Sequence, residues 1–562
     1  MITGQILRDA LISASNNVEN HIEEVNALNV FPVPDGDTGT NMSMTICAAK
    51  RELLQLPDDV TVSKVASKTS SAMLRGARGN SGVILSLIFR GIAKGLKGID
   101  AASSKEMVLA LSYGVEAAYK AVMKPTEGTI LTVVRGATSA GAKFGTENKE
   151  APFEEVFDAV IAGAREALDS TPELLPVLKK AGVVDAGGTG LLLCFEGMQS
   201  VFKDGLIIPL SGETTEVEET PAEVEESEET ENASYSYCAE LVVVRNSECK
   251  KDPEALKSYY GSIGDQVVVK IKDEIIKIHI HTNEPGKVIN QAIKYGALFN
   301  ISIKNMDEAH CKTDLSKINL DVYHKDVAVK KDNSKAKIDS VPITKEVGFV
   351  AIAAGEGLKA LFMDIGVDTV VSGGQTMNPS TEDILNAVEQ TPASVVFVLP
   401  NNKNIIMAAE QVDAISTRRV LVLPTRTIPQ GITAMINYNP DALVEENHLA
   451  MSKSLDTVDT AQVTFAARDS EMDNFHIKAG QMLGMENGKI TVVEDDAITA
   501  AYKITRHLCS RKTSMVTIIF GEGATEEDAA KLEGMISDKF KGVETAVVEG
   551  GQPVYSFIIS VE

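Results

Sequence analysis

Asn29-Val30-Phe31-Pro32-Val33-Pro34-Asp35-Gly36-Asp37-Thr38-Gly39-Thr40-Asn41 sets two carboxylates and an amide on one tight turn. Hard cations take oxygens of this kind. Pro32 and Pro34 stiffen the approach, Gly36 and Gly39 permit backbone geometry that other residues resist, and Thr38 or Thr40 can cap a following helix. A lone Asp-x-Asp is more often a solvated acidic loop, so the weight of this turn depends on what surrounds it.

Before the turn, Leu7, Leu11, Ala14, Val18, Ile22 and Val25 recur at steps of three and four, which predicts a helix with one buried face. Val108, Leu111, Val115, Ala118 and Val122 predict a second. Gly-rich turns at 76–82, 125–129 and 182–190 separate such stripes, so residues 1–208 read as an all-α barrel or bundle with its chemistry on the turns at one end.

Those turns are more than punctuation. Arg75-Gly76-Ala77-Arg78-Gly79-Asn80-Ser81-Gly82 precedes an apolar helix from Val83, so backbone N–H groups, a positive helix end and two arginines suit phosphate. Gly128-Thr129-Ile130-Leu131-Thr132 and Asp185-Ala186-Gly187-Gly188-Thr189-Gly190 repeat the pattern of small and hydroxyl residues before a helix. Any one of them alone reads as an ordinary helix start.

Past 208 the composition shifts. Gly212 to Asn232 holds ten Glu and no Lys or Arg, an acidic linker spanning 209–234. Leu241–Val244, Gln266–Lys272 and Ile275–His281 are strand-like, the last two joined by Asp273-Glu274, and predict a small α+β domain over 235–312. His279 and His281 leave one face of their strand; with Cys238 on a neighbouring strand they form a candidate Zn²⁺ site, against the plainer reading of a polar strand face. A Lys- and Asp-rich connector occupies 313–344, and over 345–562 strands such as Phe349–Ala353, Thr369–Val371, Ser394–Leu399 and Val420–Leu423 alternate with helical patterns in α/β order.

Composition narrows the partners. The 562 residues carry a net charge of −25, with no Trp and 5% aromatics, which argues against a base-stacking nucleic-acid surface. No window approaches a bilayer-spanning apolar run, so no membrane insertion is expected. Cys47, Cys194, Cys238, Cys249, Cys311 and Cys509 are scattered without a framework spacing, and Met1 leads straight into an amphipathic helix, so a reducing, cytoplasmic location is expected.

Taken together, the Pro34–Met42 turn, the Gly79–Gly82 loop, the Gly128-Thr129 turn and the Asp185–Gly190 loop resemble, in order, the nucleotide-binding L subunit of dihydroxyacetone kinase. The resemblance implies an eight-helix barrel that holds ATP at one end through two Mg²⁺ bound by three carboxylates. Asp35 and Asp37 take two of those positions, and Asn29 stands in the place of the first carboxylate, with one residue added in between. Thr38, Asn41, Gly79, Asn80, Ser81, Gly82, Gly128, Thr129, Asp185, Gly187 and Gly188 would then surround the nucleotide, with Asp35, Asp37 and Arg78 serving transfer.

Over its whole length the chain resembles the kinase component of bacterial fatty acid kinase, through Ile278-His279-Ile280-His281-Thr282-Asn283-Glu284-Pro285-Gly286 and Ser372-Gly373-Gly374-Gln375-Thr376-Met377-Asn378-Pro379-Ser380-Thr381. This implies phosphorylation of a fatty acid carboxylate carried by a separate fatty-acid-binding subunit of DegV type. It also implies a C-terminal α/β domain of DegV-like type and a homodimer. A carboxylate acceptor is ionised near neutral pH and needs no general base, which suits a first domain whose one histidine is His21. A small-polyol kinase and a nucleotide-sensing scaffold are the competing readings.

Overall fold

The computed structural model describes residues 1–29, 36–122, 124–211, 237–245, 254–261, 263–272, 275–305, 340–374, 377–472 and 475–562. Asp35, the acidic run 212–232, the Asp273-Glu274 turn, Gln375-Thr376 and most of the 313–344 connector lie outside them, as does the side chain of Cys238. Described residues up to 211 and from 340 onward form one compact unit, and those from 237 to 305 form another.

The first unit begins with α1 (Gly4–Asn20), α2 (Ile22–Ala27), α3 (Thr38–Leu53), α4 (Val62–Gly76), α5 (Gly79–Gly95), α6 (Ser104–Ala121), α7 (Ile130–Glu147), α8 (Phe153–Asp169), α9 (Thr171–Leu174), α10 (Pro176–Ala181) and α11 (Ala186–Asp204). The longer ones close a ring: α1 packs on α3, α3 on α4, and so on through α8 to α11, which returns to α1. Successive members run antiparallel, so every second helix starts at the same end. That alternation gathers the starts of α3, α5, α7 and α11. Leu7, Leu11, Ile46, Met73, Ile88, Phe157 and Phe195 are buried inside the ring. Phe202 stands edge-on to Phe153 and Phe157, with centroids 5.0 and 4.9 Å apart. A void of about 20 Å³ lies among Leu7, Leu11, Phe89, Phe157 and Phe195, and these side chains belong to one buried apolar cluster.

On α6 the buried face is Met107, Ala110, Leu111, Gly114 and Ala118. Val108 and Val115 flank it, and Val122 is the residue capping the carboxyl end rather than the last member of the stripe. The reason is close packing: a Cβ on Gly91 of α5 would fall 2.1 Å from the Tyr113 carbonyl oxygen and 2.6 Å from Gly114 Cα. Small residues, not the valines, mark that contact.

The second unit runs β1 (Tyr237–Arg245), α12 (Glu254–Gly261), β2 (Gly264–Lys272), β3 (Ile275–Thr282), α13 (Pro285–Ala292) and β4 (Gly296–Asn305). Its antiparallel sheet is ordered β2-β3-β1-β4, the ferredoxin-like arrangement. Ile276, Ile278 and Ile280 are buried with Ala239, Leu241 and Val243, which leaves the alternate positions on the other face.

From 340 the chain returns to the first unit. Strands β5 (Lys345–Ala353), β6 (Thr369–Ser372), β7 (Ala393–Leu399) and β8 (Arg419–Val422) form a parallel sheet ordered β6-β5-β7-β8, with helices Glu356–Asp364, Thr381–Gln390 and Ile406–Val412 between them. Helices Ile428–Ile436 and Val444–Ser454 lead to a second sheet. It contains β9 (Asp459–Phe465), β12 (Met482–Glu486), β13 (Lys489–Glu494), β14 (Met515–Phe520), β15 (Glu544–Glu549) and β16 (Tyr555–Val561), and a separate small ribbon pairs β10 (Ser470–Met472) with β11 (Phe475–Ile477). In this six-stranded sheet only β14 and β15 pair in parallel, so the simple α/β alternation holds for the first sheet and gives way to a mixed one.

Barrel and parallel sheet share an apolar core. Val83 and Leu87 of α5 join Ile384, Leu385 and Val388 of the helix Thr381–Gln390 and Val350, Val396 and Val398 of the strands. Among the described residues no helix is long and apolar enough to cross a membrane.

Candidate functional site

The acidic turn enters α3 with Asp37 as the N-cap residue, at φ −122° and ψ 13°. Thr38 and Thr40 lie within the helix and do not cap it, contrary to the sequence reading. The cap comes from α2: Asn26 Oδ1 accepts the N–H groups of Gly39 (2.8 Å) and Thr40 (3.3 Å), and Asn26 Nδ2 donates to Thr40 Oγ1 at 3.1 Å. Because the first amides are satisfied from outside, the Asp37 carboxylate makes no cap bond to its own helix.

Three other loops converge on this point. A Cβ on Gly79, which has φ +56°, would lie 2.5 Å from Asn41 Nδ2. Thr45 Oγ1 donates to the Asn41 carbonyl at 2.6 Å and accepts the Arg78 N–H at 3.3 Å, binding α3 to the Arg75–Gly82 loop. A Cβ on Gly190 would lie 2.5 Å from Met42 Sδ, so α11 starts beside the same turn of α3. Four positive helix ends therefore point to one region.

At α7 and α11 the two loops are joined by a half-buried carboxylate. Asp185 caps α11 by accepting the Gly188 N–H at 2.7 Å, and its own N–H donates to Thr171 Oγ1 at 3.1 Å. Burial pushes its carboxyl up to about 6, against the opposing pull of the Gly188 and Ile130 amides. Thr129 caps α7, its hydroxyl accepting the Leu131 N–H at 3.4 Å and donating to the Thr126 carbonyl at 2.8 Å. Gly128, at φ +83°, donates its N–H to Thr132 Oγ1 at 2.8 Å.

Sequence reasoning missed Asn26, Thr45 and the reach of the C-terminal region. Asn378 Nδ2 donates to Asp37 Oδ2 at 2.6 Å, and Arg78 Nη1 donates to the Asn378 carbonyl at 2.7 Å. Arg78 Nη2 also pairs with Asp383 at 3.3 Å. The only hint in the sequence was the polar segment Ser372–Thr381 itself; nothing in it indicates the partner.

Asn29, Asn80 and Asn378 each bury a side-chain oxygen that has no hydrogen-bond partner among the described residues. Unpaired buried carbonyl oxygens are costly, and amide oxygens beside a carboxylate are the donor set of a hard cation. Asn29 lies against Gly36, the residue before Asp37, its Cβ 3.4 Å from where a Gly36 Cβ would stand, and an amide oxygen with a carboxylate is a donor set that suits Mg²⁺. Asn80 also stands on the wall of a cleft of about 610 Å³, with Lys124, Lys403, Arg426, Met407 and Tyr555 around it. A smaller cavity of about 50 Å³ lies at the carboxyl ends of the parallel strands, bounded by Ala353, Gly373, Gly374 and Asn401.

In the second unit the β1–β3 ladder sets Cys238 opposite His281 and Glu240 opposite His279. The two imidazole centroids are 5.1 Å apart. Among the described residues no group of three or more His, Cys, Asp or Glu could hold a metal ion.

Three family models match the chain: the FakA-like C-terminal domain of fatty acid kinase over residues 348–562, the DAK2 domain over 32–200, and the FakA-like middle domain of fatty acid kinase over 234–313. Protein YloV of Bacillus subtilis is 39% identical over 568 residues, covering 100% of this chain and 99% of that one. A DegV family protein from Corynebacterium glutamicum is similar to 39% of this chain and 97% of its own, at 14% identity and a TM-score of 0.30. The dihydroxyacetone kinase from C. freundii, solved in complex with AMP-PNP and Mg²⁺, is similar over 34% of this chain and 33% of its own, at 18% identity and a TM-score of 0.28. With a relative matched end to end and the models of one kinase matched in order, this chain belongs to the FakA-like family of fatty acid kinase and carries its DAK2 kinase domain at the amino-terminal end.

Proposed function

We propose that this kinase moves the γ-phosphoryl group of ATP to a fatty acid carboxylate presented by a separate fatty-acid-binding subunit of DegV type, giving an acyl phosphate. The observation that carries this reading is the meeting of four helix starts around Asp37, with buried amide oxygens left for a cation. Phosphoryl transfer asks mainly for positioning and charge neutralisation, which such a site supplies without a protein nucleophile.

In this reading Asp35, Asp37 and Asn29 hold Mg²⁺, which when bound neutralises charge on the phosphate oxygens. The N–H groups of the Gly79–Gly82 loop, with Asn80 and Ser81, receive phosphate, and Arg78 places its charge at the loop's edge. Thr38 and Asn41 lie on the α3 side. Gly128, Thr129, Asp185, Gly187 and Gly188 bound the nucleotide from α7 and α11. A carboxylate oxygen of the acceptor bonds to the γ-phosphorus as the bond to the β–γ bridging oxygen breaks and ADP departs. No proton moves, because the acceptor is already ionised.

The cleft beside Asn80 is the approach for the acceptor head group because it opens beside the phosphate loop; its wall carries Lys124, Lys403 and Arg426 together with Glu410, Asp456 and Asp459, charges of both signs in equal number. The 50 Å³ cavity is far below the few hundred cubic ångströms of an ordinary ligand site, so that cavity is too small for an acyl chain, and docking of the fatty-acid-binding subunit is the role we assign to the C-terminal region.

The test is direct. The full chain is incubated with Mg·ATP and an oleate-loaded carrier protein, and acyl phosphate is trapped with hydroxylamine. Hydroxamate is expected from the wild type and should fall at least about 100-fold in Asp37→Ala. Undiminished hydroxamate from that variant would overturn the assignment, and turnover of dihydroxyacetone in place of the loaded carrier would overturn the acceptor.

A further inference from the structure

Asn378 is 2% exposed and lies 341 positions along the chain from the carboxylate that it touches. A carboxylate only accepts, so the amide nitrogen must be the atom facing Asp37, and the Nδ2–Oδ2 distance of 2.6 Å is short for such a bond. The geminal Oδ1 is buried and has no partner among the described residues. Half of a buried amide is thus used on Asp37 and half is left unsatisfied beside the site.

The segment carrying Asn378 is fastened on both sides. Upstream of Pro379, the Asn378 carbonyl accepts from Arg78 Nη1 at 2.7 Å. Downstream, Ser380 forms a β-bridge with Arg78, the Thr381 N–H donates to the Ala77 carbonyl at 3.0 Å, and Ser380 and Asp383 form a capping box at the start of their helix. Asp383 in turn pairs with Arg78. Arg78 therefore grips both the carbonyl of Asn378 and the helix that follows, and the side chain between them is fixed against the turn before α3.

We propose that Asn378 is a positioning residue of the nucleotide site, supplied by the C-terminal region: it orients the Asp37 carboxylate for divalent-cation binding. This rests on the reading of Asp37 given above. A carboxylate oxygen has two lone pairs, so Oδ2 can keep the Asn378 bond while the carboxylate serves a cation. Partners of this kind, one bond removed from the metal, commonly set its affinity by 10- to 100-fold. The C-terminal region then does more than dock a partner, because divalent affinity depends on the loop being seated.

The test is a double-mutant cycle in the full chain between Asp37→Asn and Asn378→Ala, with Asn378→Leu as a volume-preserving second variant. Mn²⁺ affinity is read by electron paramagnetic resonance with a nonhydrolysable ATP analogue present, together with the melting temperature and the Mg²⁺ dependence of turnover. Asn378→Ala and Asn378→Leu are expected to weaken Mn²⁺ about tenfold in the wild-type background and hardly at all in Asp37→Asn. Their apparent KM for Mg²⁺ should rise while kcat recovers at saturating Mg²⁺. Equal weakening in both backgrounds, or unchanged affinity in folded Asn378 variants, would overturn the proposal. If Asp37→Asn itself leaves Mn²⁺ binding intact, the reading of Asp37 fails instead.

Discussion

Thr45 and Gly82 occupy a joint with no spare room: a Cβ on Gly82 would lie 2.3 Å from Thr45 Oγ1 and 3.2 Å from the Asn41 carbonyl oxygen. Gly82→Ala must therefore push α5 from α3 at the phosphate loop. A loss of about 1–3 kcal/mol in denaturant unfolding is expected, with weaker nucleotide binding. Thr45→Ala alone loses the hydroxyl's bonds to the Asn41 carbonyl and the Arg78 N–H, so the comparison is a double-mutant cycle: Gly82→Ala should cost less in the Thr45→Ala background than in the wild type. An equal cost in both backgrounds would show that the clash is not with the hydroxyl.

Asn26 acts at a distance from the phosphate loop. Asn26→Ala leaves the Gly39 and Thr40 amides without their acceptor, and should destabilise the protein by about 1 kcal/mol. Because those amides begin the helix whose N-cap position Asp37 occupies, nucleotide affinity should fall as well. Asn26→Asp keeps an acceptor in place and should restore most of the melting temperature.

Asp185 makes stability depend on pH. Its carboxyl titrates at about 6 in the fold and near 4 in an unfolded chain, so the folded state holds the proton more tightly. The stability it contributes is complete below about pH 4 and is lost as pH rises through about 6. Asp185→Asn keeps an oxygen for the Gly188 N–H and carries no charge. It should match the wild type near pH 4 and exceed it by up to about 3 kcal/mol at pH 7.5, as read from urea unfolding at each pH. A gap that did not widen with pH would exclude this cause.

Glu389 and Arg418 form a buried pair, with side chains 2% and 4% exposed and Arg418 Nε 3.8 Å from Glu389 Oε2. Glu389 also accepts from Ser416 Oγ at 2.8 Å and from the Thr417 N–H at 2.6 Å. Glu389→Ala strands a buried guanidinium and should cost about 3–5 kcal/mol. The pair lies in the C-terminal region away from Asp37, so the surviving folded fraction should bind Mn²⁺ normally.

The helical stripes were legible because Leu7, Leu11, Ala14 and Val18 repeat with the period of a helix, and the four loops because glycine beside Ser, Thr or Asp marks helix starts. Their gathering at one end was expected too, from an antiparallel bundle in which alternate helices begin together. Which loops would touch, and the order in which the ring closes, were not legible, because closure is a property of packing rather than of any local run. On α6 the tight face is made by Ala110 and Gly114, which carry almost no hydropathy signal. The mixed sheet did leave one mark, the turn Asn487-Gly488, whose positive φ values of 48° and 85° suit a two-residue hairpin between β12 and β13. Asn378 was illegible for a different reason: an amide can bond almost anything, and no local pattern names a carboxylate 341 positions away.

Val83 and Leu87 are covered by Ile384, Leu385 and Val388, so the amino- and carboxy-terminal thirds of the polypeptide shield each other's oily surface. Severing the backbone between 211 and 340 should therefore not separate the two ends. A protease nick there ought to leave fragments that co-elute on gel filtration, and the same pieces made from two genes should find each other. Evolution could in principle exchange or delete the intervening module without dismantling the enzyme around it.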